Sequence, residues 1–396
     1  MARIGAMLAG REEPTLYERN KPHGASARFK DIRTYRVKGN IRGVRRLLPP
    51  LLLMAIAVYL LFFVSVPYYV YRPGTAEAVK PMVRVAEGDP EEAGAFLLTT
   101  VRMGQTNVAG LILAQFNRQW EVRKKADVLR GESEQEYVTR QEYIMLDSQS
   151  NAIQAAYRKA DIPYQIRSQG VVVMRTIAGM PADGVLRPGD RIVTIDGKPI
   201  NTHREIVDFL KTKREGDTVE VIVKRSDEEE SFTIAVKPFG DTARGDAAQR
   251  PGLGITTAEL LSIVPEHDGK RVTIDAGDIG GPSAGLMFAL EIYNQLTPGD
   301  LTKGYRVAGT GTIDPQGNVC SIGGIRHKIV AADREKADVF FAPIDRKAGE
   351  CGLNVDVRNF SDALDQAKMI GSSMKVVPVA TLEEALRYLE QLPPKR

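Results

Sequence analysis

The sequence has few cysteines and few histidines. Cys320 and Cys351 are its two cysteines among 396 residues. Two cysteines do not make a disulfide framework, and whether they form a bridge stays open. The four histidines are scattered without an H-x-x-x-H pair, and neither cysteine has metal-ligand spacing. We therefore expect no metal and no cofactor.

The phosphate-binding pattern G-x-x-x-x-G-K-[ST] is also absent from the sequence. We therefore expect no P-loop ATPase in this chain. Nucleic-acid binding is not expected either. The basic residues near the start are not interleaved with aromatic side chains, and an apolar run follows them directly.

The net charge of +4 is unevenly distributed. Basic side chains before residue 47 include Arg28, Lys30, Arg33, Arg36, Lys38, Arg42, Arg45 and Arg46. The uncharged run "LLPPLLLMAIAVYLLFFVSV", residues 47–66, follows, and as a helix it is long enough to cross a bilayer core of ~30 Å. Tyr68, Tyr69 and Tyr71 then resemble an interfacial aromatic belt.

This distribution predicts a cytoplasmic basic arm at 1–46, a transmembrane helix at 47–66 and an extracytoplasmic remainder. The run is long for the apolar region of a signal peptide, and no A-x-A-like cleavage site closely follows it. We therefore expect a single-pass anchor in the cell membrane. Residues 67–160 are predicted as an extracytoplasmic segment of strands and helices. Its charged stretch "LRGESEQEYVTRQEY" is predicted as a solvated helix face.

Residues 161–239 are rich in strand patterns. Asp196-Gly197 predicts a hairpin, and Thr202 with Glu205 forms a capping box before a helix. The spacing of Leu186, Gly189, Asp190, Ile192, Ile195 and Gly197 resembles a PDZ domain. This resemblance implies that an extended peptide adds beside the strand "GVVVMRTI" and faces the following helix. The implied peptide-binding residues are Gly170, Val171, Val172, Ile206 and Leu210.

How such a PDZ domain would be used stays open. Residues 168–171 depart from the usual carboxylate-binding Gly-Leu-Gly-Phe loop. The sequence leaves four roles open for this domain: binding of C-termini, binding of internal segments, gating, and service as a spacer. Ile206 and Leu210 fit the core of the domain as well as they fit a peptide groove. Residues 240–252 are small and polar, which predicts a linker. Residues 253–396 alternate strands with helices near their end, and Thr381 opens the last helix, so an α/β domain is predicted.

The stretch "GDIGGPSAGLMFALEIYNQL", residues 277–296, places Ser283 at the start of a very apolar helix. A serine in this position is commonly a plain N-cap. The Gly-Gly-Pro turn before it also fits a loop that exposes a reactive hydroxyl among backbone N–H groups.

Lys328 lies on the same helical side as Ile325, Ile329 and Ala332. A lysine there usually extends its amine to water. If it cannot, burial lowers its pKa and provides a neutral amine that can act as a general base for a serine.

The segments "GPSAG" and "GTGTIDPQGNVCSIGGIRHKIVAA" together resemble the proteolytic domain of Lon proteases over roughly residues 250–390. The resemblance implies that Ser283 is the nucleophile and Lys328 the general base. It also implies that Thr310 lies near the lysine, and that Gly281 and Ala284 support the serine. The order of membrane span, PDZ domain and Lon domain resembles the YlbL-type family of membrane-anchored, PDZ-containing Lon-like serine proteases.

The predicted fold is therefore multidomain: an N-terminal transmembrane helix, a strand-rich PDZ domain at 161–239 and a C-terminal α/β Lon-type proteolytic domain at 253–396. The predicted function is ATP-independent serine endopeptidase activity on secreted or membrane-associated peptides and proteins. The alternative is a non-catalytic PDZ adaptor that keeps a protease-like domain. An acyl hydrolase is disfavoured because the serine lacks the acid and histidine partners of that class. Homo-oligomerisation stays open.

Overall fold

The computed structural model describes residues 41–89, 92–239 and 250–395. Most of the predicted basic arm, up to residue 40, and most of the predicted linker, 240–249, lie outside these ranges. The α-helices are α1 (Ile41–Phe63), α2 (Val108–Phe116), α3 (Lys125–Leu129), α4 (Glu134–Lys159), α5 (His203–Leu210), α6 (Gly285–Leu296), α7 (Ile325–Arg334), α8 (Asn359–Met369) and α9 (Leu382–Gln391).

The strands form two six-stranded sheets and three short pairs in the described residues. They are β1 (Ser65–Ala78), β2 (Val83–Val85), β3 (Ala95–Asn107), β4 (Glu121–Lys124), β5 (Tyr164–Thr176), β6 (Arg191–Ile195), β7 (Lys198–Pro199), β8 (Thr218–Arg225), β9 (Glu228–Ala235), β10 (Lys237–Phe239), β11 (Arg250–Gly252), β12 (Ile255–Pro265), β13 (Val272–Ile274), β14 (Arg306–Gly309), β15 (Thr312–Ile313), β16 (Val319–Cys320), β17 (Val339–Pro343) and β18 (Lys375–Val379).

The chain divides into two compact units, Met1–Ala57 and Val58–Arg396. All described residues of the first unit lie in α1. This helix ends at Phe63, and β1 begins at Ser65, so the end of the predicted span at 47–66 is extended rather than helical. Within the three described ranges, no helix is both long enough and apolar enough to cross a membrane.

The larger mixed sheet, in the order β18-β17-β14-β3-β1-β4, is built from two distant parts of the chain. Strands β3, β14, β17 and β18 run parallel, whereas β1 pairs antiparallel with β3 and β4. Strand β17 reads "VFFAP" and is buried throughout, as expected for a central parallel strand. Residues 67–160 therefore do not form a separate segment, because their strands complete the sheet of the C-terminal domain.

The second sheet has the order β12-β5-β6-β8-β9 and belongs to the strand-rich domain. The Asp196-Gly197 turn joins β6 to β7 as predicted, and the Thr202–Glu205 capping box is confirmed at the start of α5. Strand β12 was predicted to lie in the protease domain, but it pairs with β5 over its whole length. The strand-rich domain therefore extends to residue 265 and is inserted between α4 and β13 of the other domain.

The core clusters follow this division. One cluster joins residues from Val79 to Tyr157 with residues from Ile263 to Leu389, and a second lies within 171–253. A third lies on the other face of the large sheet, against α7 and α8. Cys320 and Cys351, whose pairing the sequence left open, form a disulfide with their Cα atoms 6.0 Å apart.

One sequence interpretation of a surface residue is wrong. Tyr69, assigned to an aromatic belt, is buried, and its hydroxyl donates to the Glu134 carboxylate over 2.9 Å. Helix α4 begins within the charged stretch predicted as a solvated face, and none of its residues 134–143 is buried. Its buried residues begin at Met145, and the helix packs along α6 and against β12. Small side chains such as Ser148, Ala152 and Ala156 allow this close packing.

Candidate functional site

The turn before α6 presents Ser283. Pro282, Ser283 and Ala284 form one turn of 3₁₀ helix that continues into α6. Gly285 is required there, because a Cβ atom would lie 2.8 Å from Ser148 Oγ and 2.9 Å from an Ile313 methyl group. Nearly every residue of α6 is buried, which explains its apolar sequence. The rigid helix thereby fixes the position of the serine.

Ser283 does not cap the helix. Instead, the Lys328 Nζ atom lies 2.8 Å from Ser283 Oγ, although the two residues are 45 positions apart in sequence. Lys328 projects from α7 and is only 3% exposed. Its Nζ atom also donates to the Thr99 carbonyl oxygen of β3 over 2.7 Å. The structure therefore brings together the two residues that the sequence singled out.

Burial lowers the pKa of Lys328 to about 7. Desolvation disfavours the charged ammonium form. The Thr99 carbonyl is a neutral acceptor, so it orients the amine without adding the opposite charge that would stabilise the ammonium. A substantial fraction of the amine is thus neutral near pH 7, and a neutral amine can accept a proton from the serine hydroxyl.

Thr310 lies next to the serine, and its side chain bonds to the serine backbone. Its Oγ1 atom donates to the Ser283 carbonyl oxygen over 2.9 Å, and the Gly311 N–H donates to the same oxygen over 2.9 Å. Thr310 is completely buried. Its hydroxyl therefore orients the backbone of the serine.

Replacing Thr310 with valine is expected to lower kcat about tenfold, since the loss of one buried hydrogen bond loosens the Ser283 turn. The measurement is steady-state cleavage of one fluorogenic peptide. Thr302→Val is the matched control, because Thr302 is an equally buried threonine whose hydroxyl donates to Asp300 elsewhere. An equal loss of kcat in both variants would assign the Thr310 effect to general loosening of the domain.

Gly281 and Ala284 flank the serine, as the motif requires. The Gly281 N–H donates to the Gln141 carbonyl oxygen of α4 over 3.0 Å, so it is already engaged in this structure. Ala284 is buried in the core. Ser148, also on α4, donates to the Pro282 carbonyl oxygen over 2.8 Å. Helix α4 thus holds the turn at two points.

A cleft of about 560 Å³ opens above Ser283 and Lys328. It is lined by α4, by the middle of β3 and by residues on both sides of the serine. Its charged side chains are of both signs: Glu77, Arg102, Glu121, Arg123 and Asp278. Sequence reasoning missed Thr99, Gln141 and Ser148 as site residues. Thr99 and Gln141 act through backbone carbonyls, which leave no signal in the sequence.

The structure places the predicted peptide-binding residues of the PDZ domain in its interior. Val171, Val172, Ile206 and Leu210 are buried, and Gly170 is paired with Leu260. Strand β12 occupies the edge of β5 where a peptide was predicted to add. That prediction is wrong, because β5 is an inner strand with a neighbour on each side.

The open edge of this sheet belongs to β12 instead, and α5 lies beside it. The His203 N–H donates to Glu259 over 2.7 Å, and His203 Nδ1 lies 2.8 Å from Thr257 Oγ1. Directly before β12, residues 252–255 read Gly-Leu-Gly-Ile, three of four positions of the Gly-Leu-Gly-Phe loop. Gly254 has φ +82°, and a Cβ atom there would lie 2.1 Å from Met180 Cβ. This motif was the missed signal, hidden in and beside the predicted linker.

Comparison with known families agrees with the two-domain fold. The PDZ domain model matches residues 144–236, and the model of the Lon protease (S16) C-terminal proteolytic domain matches residues 271–389. The chain therefore carries a PDZ domain and the proteolytic domain of a serine peptidase. The structure extends the second of these by the strands and helix that precede the PDZ insertion.

Several relatives align with parts of the chain. A Lon protease from Chloroflexus aurantiacus is 27% identical over 259 residues, covering 60% of this chain and 29% of the relative. A Lon protease from Trichlorobacter lovleyi is 34% identical over 126 residues, covering 31% of this chain and 14% of the relative. The chain thus spans less than a third of the length of either relative. The PDZ domain of an SdrC-like protein from Listeria monocytogenes is 34% identical, with a TM-score of 0.20, and covers 22% of this chain and 86% of that domain.

Proposed function

We propose that the protein is an ATP-independent serine endopeptidase in which Ser283 is the nucleophile and Lys328 the general base. The observation that carries this proposal is the 2.8 Å contact between Ser283 Oγ and the buried amine of Lys328. The amine takes the hydroxyl proton as Oγ attacks the peptide carbonyl, and it then donates that proton to the leaving amine. Water hydrolyses the resulting acyl-enzyme by the same route in reverse order.

The oxyanion of the tetrahedral intermediate needs hydrogen-bond donors. Pro282 has no N–H group, and the Gly281 N–H is bonded to Gln141. We therefore assign the backbone N–H of Ser283 as the principal donor. The hydrogen bond from the Ser148 hydroxyl to the Pro282 carbonyl oxygen supports this role, because that carbonyl and the Ser283 N–H belong to the same peptide plane.

We also propose that the PDZ domain captures an extended segment of the substrate along the open edge of β12, facing α5. Unpaired backbone groups of an edge strand are a template for a further strand. The Gly-Leu-Gly-Ile turn at 252–255 supports capture of a C-terminal carboxylate, since consecutive backbone N–H groups in such a turn bind anions. The carbonyls of Leu253 and Gly254 accept bonds from Ala182 and Ile177, which orients the turn.

Introducing a negative charge with His203→Glu is expected to raise KM severalfold for substrates with a long C-terminal tail, because the charge would repel a carboxylate at this edge. Cleavage of short peptides should not change. Arg204→Glu is the control, because the Arg204 side chain on the same helix is exposed and faces Asp208. An equal KM increase for short peptides, or the same effect from Arg204→Glu, would contradict the assigned groove.

We propose further that the uncharged run at 47–66 attaches the protein to the cell membrane, with both domains outside the cytoplasm. The basic residues before the run support this orientation. The Cys320–Cys351 disulfide supports an oxidising compartment.

The proposed activity is tested with the full chain in detergent and an unfolded polypeptide such as reduced casein. We expect cleavage at the same rate with and without ATP, and no cleavage by Ser283→Ala. Folded substrates should resist, because the proposed activity uses no ATP-driven unfolding. Cleavage that requires ATP and a partner ATPase would refute the proposal. Absence of cleavage by a well-folded wild type that still binds peptide would favour the adaptor.

A further inference from the structure

Helix α2 presents an apolar face to solvent. Its sequence, "VAGLILAQF", contains no charge, and Ala114 is its only buried residue. The exposed fractions are 84% for Phe116, 58% for Leu113 and 47% for Ile112. Large apolar side chains exposed together mark an interaction site. No other described segment of the chain covers them.

The end of α1 continues this surface. The N-cap residue of α2, Asn107, accepts from the Gly110 N–H over 2.8 Å and donates from its side-chain amide to the Phe62 carbonyl over 2.5 Å. Phe62, Phe63 and Leu113 line one recess together with Trp120. We use the name α2 surface for the exposed apolar residues at the end of α1 and on α2, which are Phe62, Phe63, Val64, Ile112, Leu113 and Phe116.

Aromatic and basic side chains border the α2 surface. The Arg72 guanidinium lies over the Trp120 ring, 4.8 Å from its centroid. Arg118 is exposed and lines a second recess together with Leu113 and Phe116. Tryptophan and basic residues beside an apolar patch are typical of a surface that lies at the boundary between lipid headgroups and acyl chains.

We propose that the α2 surface lies in the outer boundary of a lipid bilayer, with Ile112, Leu113 and Phe116 inserted among the acyl chains. A lipid surface is favoured over a second copy of this chain because the patch is continuous with α1, which ends at Phe63 and contains most of the uncharged run. The proposal rests on the membrane attachment proposed above. The α2 surface adds a second membrane contact, and Asn107 at the start of α2 lies 45 residues beyond Phe62. This contact would hold the protease domain against the bilayer rather than on a free tether.

Trp120 provides the probe, since it is the only tryptophan of the chain. The full-length protein is reconstituted into vesicles of phosphatidylglycerol and phosphatidylcholine, with or without bromine on the acyl chains. Bromine quenches tryptophan emission at short range. We expect about twofold quenching for the wild type, as for a side chain at the acyl-chain boundary. The triple variant Ile112→Glu, Leu113→Glu, Phe116→Glu should lose most of it.

Controls separate this surface from the proposed anchor. Val138→Glu with Leu146→Glu changes two apolar side chains of α4 that are 52% and 44% exposed, and should leave quenching unchanged. The triple variant should still float with the vesicles through the run at 47–66, and an unchanged melting curve shows that it folds. Phe116→Glu alone, at the most exposed position, serves if the triple variant does not fold.

Each outcome decides the question. Loss of quenching in a triple variant that still floats supports the α2 surface. Quenching that persists in this variant, or a wild type that floats without quenching, overturns it and leaves the anchor intact. A wild type that does not float overturns the anchor and this inference with it. A dimer in detergent that the triple substitution dissociates, together with unquenched Trp120 in vesicles, shows that a second copy covers the surface.

Discussion

Replacing Lys328 with methionine is expected to lower kcat/KM by about a thousandfold or more. Methionine has a similar length and no proton acceptor, so in the proposed mechanism Ser283 Oγ would lose its general base. The variant should fold normally, because a buried thioether avoids the desolvation cost of an amine. Initial rates on one fluorogenic peptide, with melting curves, measure both effects. Lys368→Met, which removes an exposed lysine from α8, should match the wild type.

The pH dependence tests the same residue without mutation. In the proposed mechanism the active form is the neutral amine, and burial lowers the pKa of Lys328 to about 7. The wild-type kcat/KM should therefore rise with pH through about 7 and level off above it. A lysine exposed to solvent would still be charged at pH values around 7. A rate that falls as pH rises from 6 to 8 would remove the neutral amine from the mechanism.

Two further variants test whether Ser283 and Lys328 act together. Lys328→Arg should be inactive at every accessible pH, because guanidinium stays protonated in proteins. Ser283→Ala should lose as much activity as Lys328→Met, and the double variant should lose no more, since the two residues act as one unit. Appreciable activity in a well-folded Lys328→Met protein would instead support the adaptor hypothesis.

Replacing Glu291 with glutamine is expected to increase the free energy of unfolding at neutral and alkaline pH by up to about 3 kcal/mol. Glu291 is completely buried in α6, and its Oε2 atom has no hydrogen-bond partner in the described residues. Its Oε1 atom accepts from Gln295 over 2.6 Å. Burial raises the pKa of Glu291 from 4.5 to about 7, and the nearby Glu92 carboxylate adds to the rise.

The direction in which stability changes with pH follows from the raised pKa of Glu291. Between pH 4.5 and 7 the folded protein keeps a proton on Glu291 that the unfolded chain has lost, so wild-type stability falls as pH rises through this window. Glutamine carries no titratable proton and should abolish that part of the slope. Urea unfolding at pH 5 and pH 8 measures it. Glu390→Gln, at an exposed position of α9, is the control. An unchanged slope in Glu291→Gln would show that Glu291 is ionised in the folded protein.

The serine and lysine could be found from sequence because each violates the local pattern that surrounds it. A serine opens an apolar helix, and a lysine lies on a buried stripe. The structure explains both through a contact that neither helix could make alone. The backbone partners Thr99 and Gln141 could not be found in this way, since every residue has a carbonyl and only the fold decides which one is used.

The organisation of the domains could be predicted only in part. The hairpin and the capped helix of the PDZ domain are local features, and the structure confirms both. The strand that completes its sheet lies beyond the small, polar stretch at 240–252, so β12 was assigned to the following domain. The peptide-binding edge was misplaced as a consequence. Pairing between β3 and β14, more than 200 residues apart, has no local signal at all.

The insertion of the PDZ domain also sets the order in which the chain can fold during synthesis. The PDZ core lies within 171–253 and can form once β12 has left the ribosome. The larger sheet must wait for β18, and Lys328 reaches the carbonyl of a residue made 229 positions earlier. Such distant pairings form slowly. The nascent protein therefore gains its PDZ domain first and the Ser283–Lys328 contact last, so the proposed peptidase would emerge without the ability to cut its neighbours or itself.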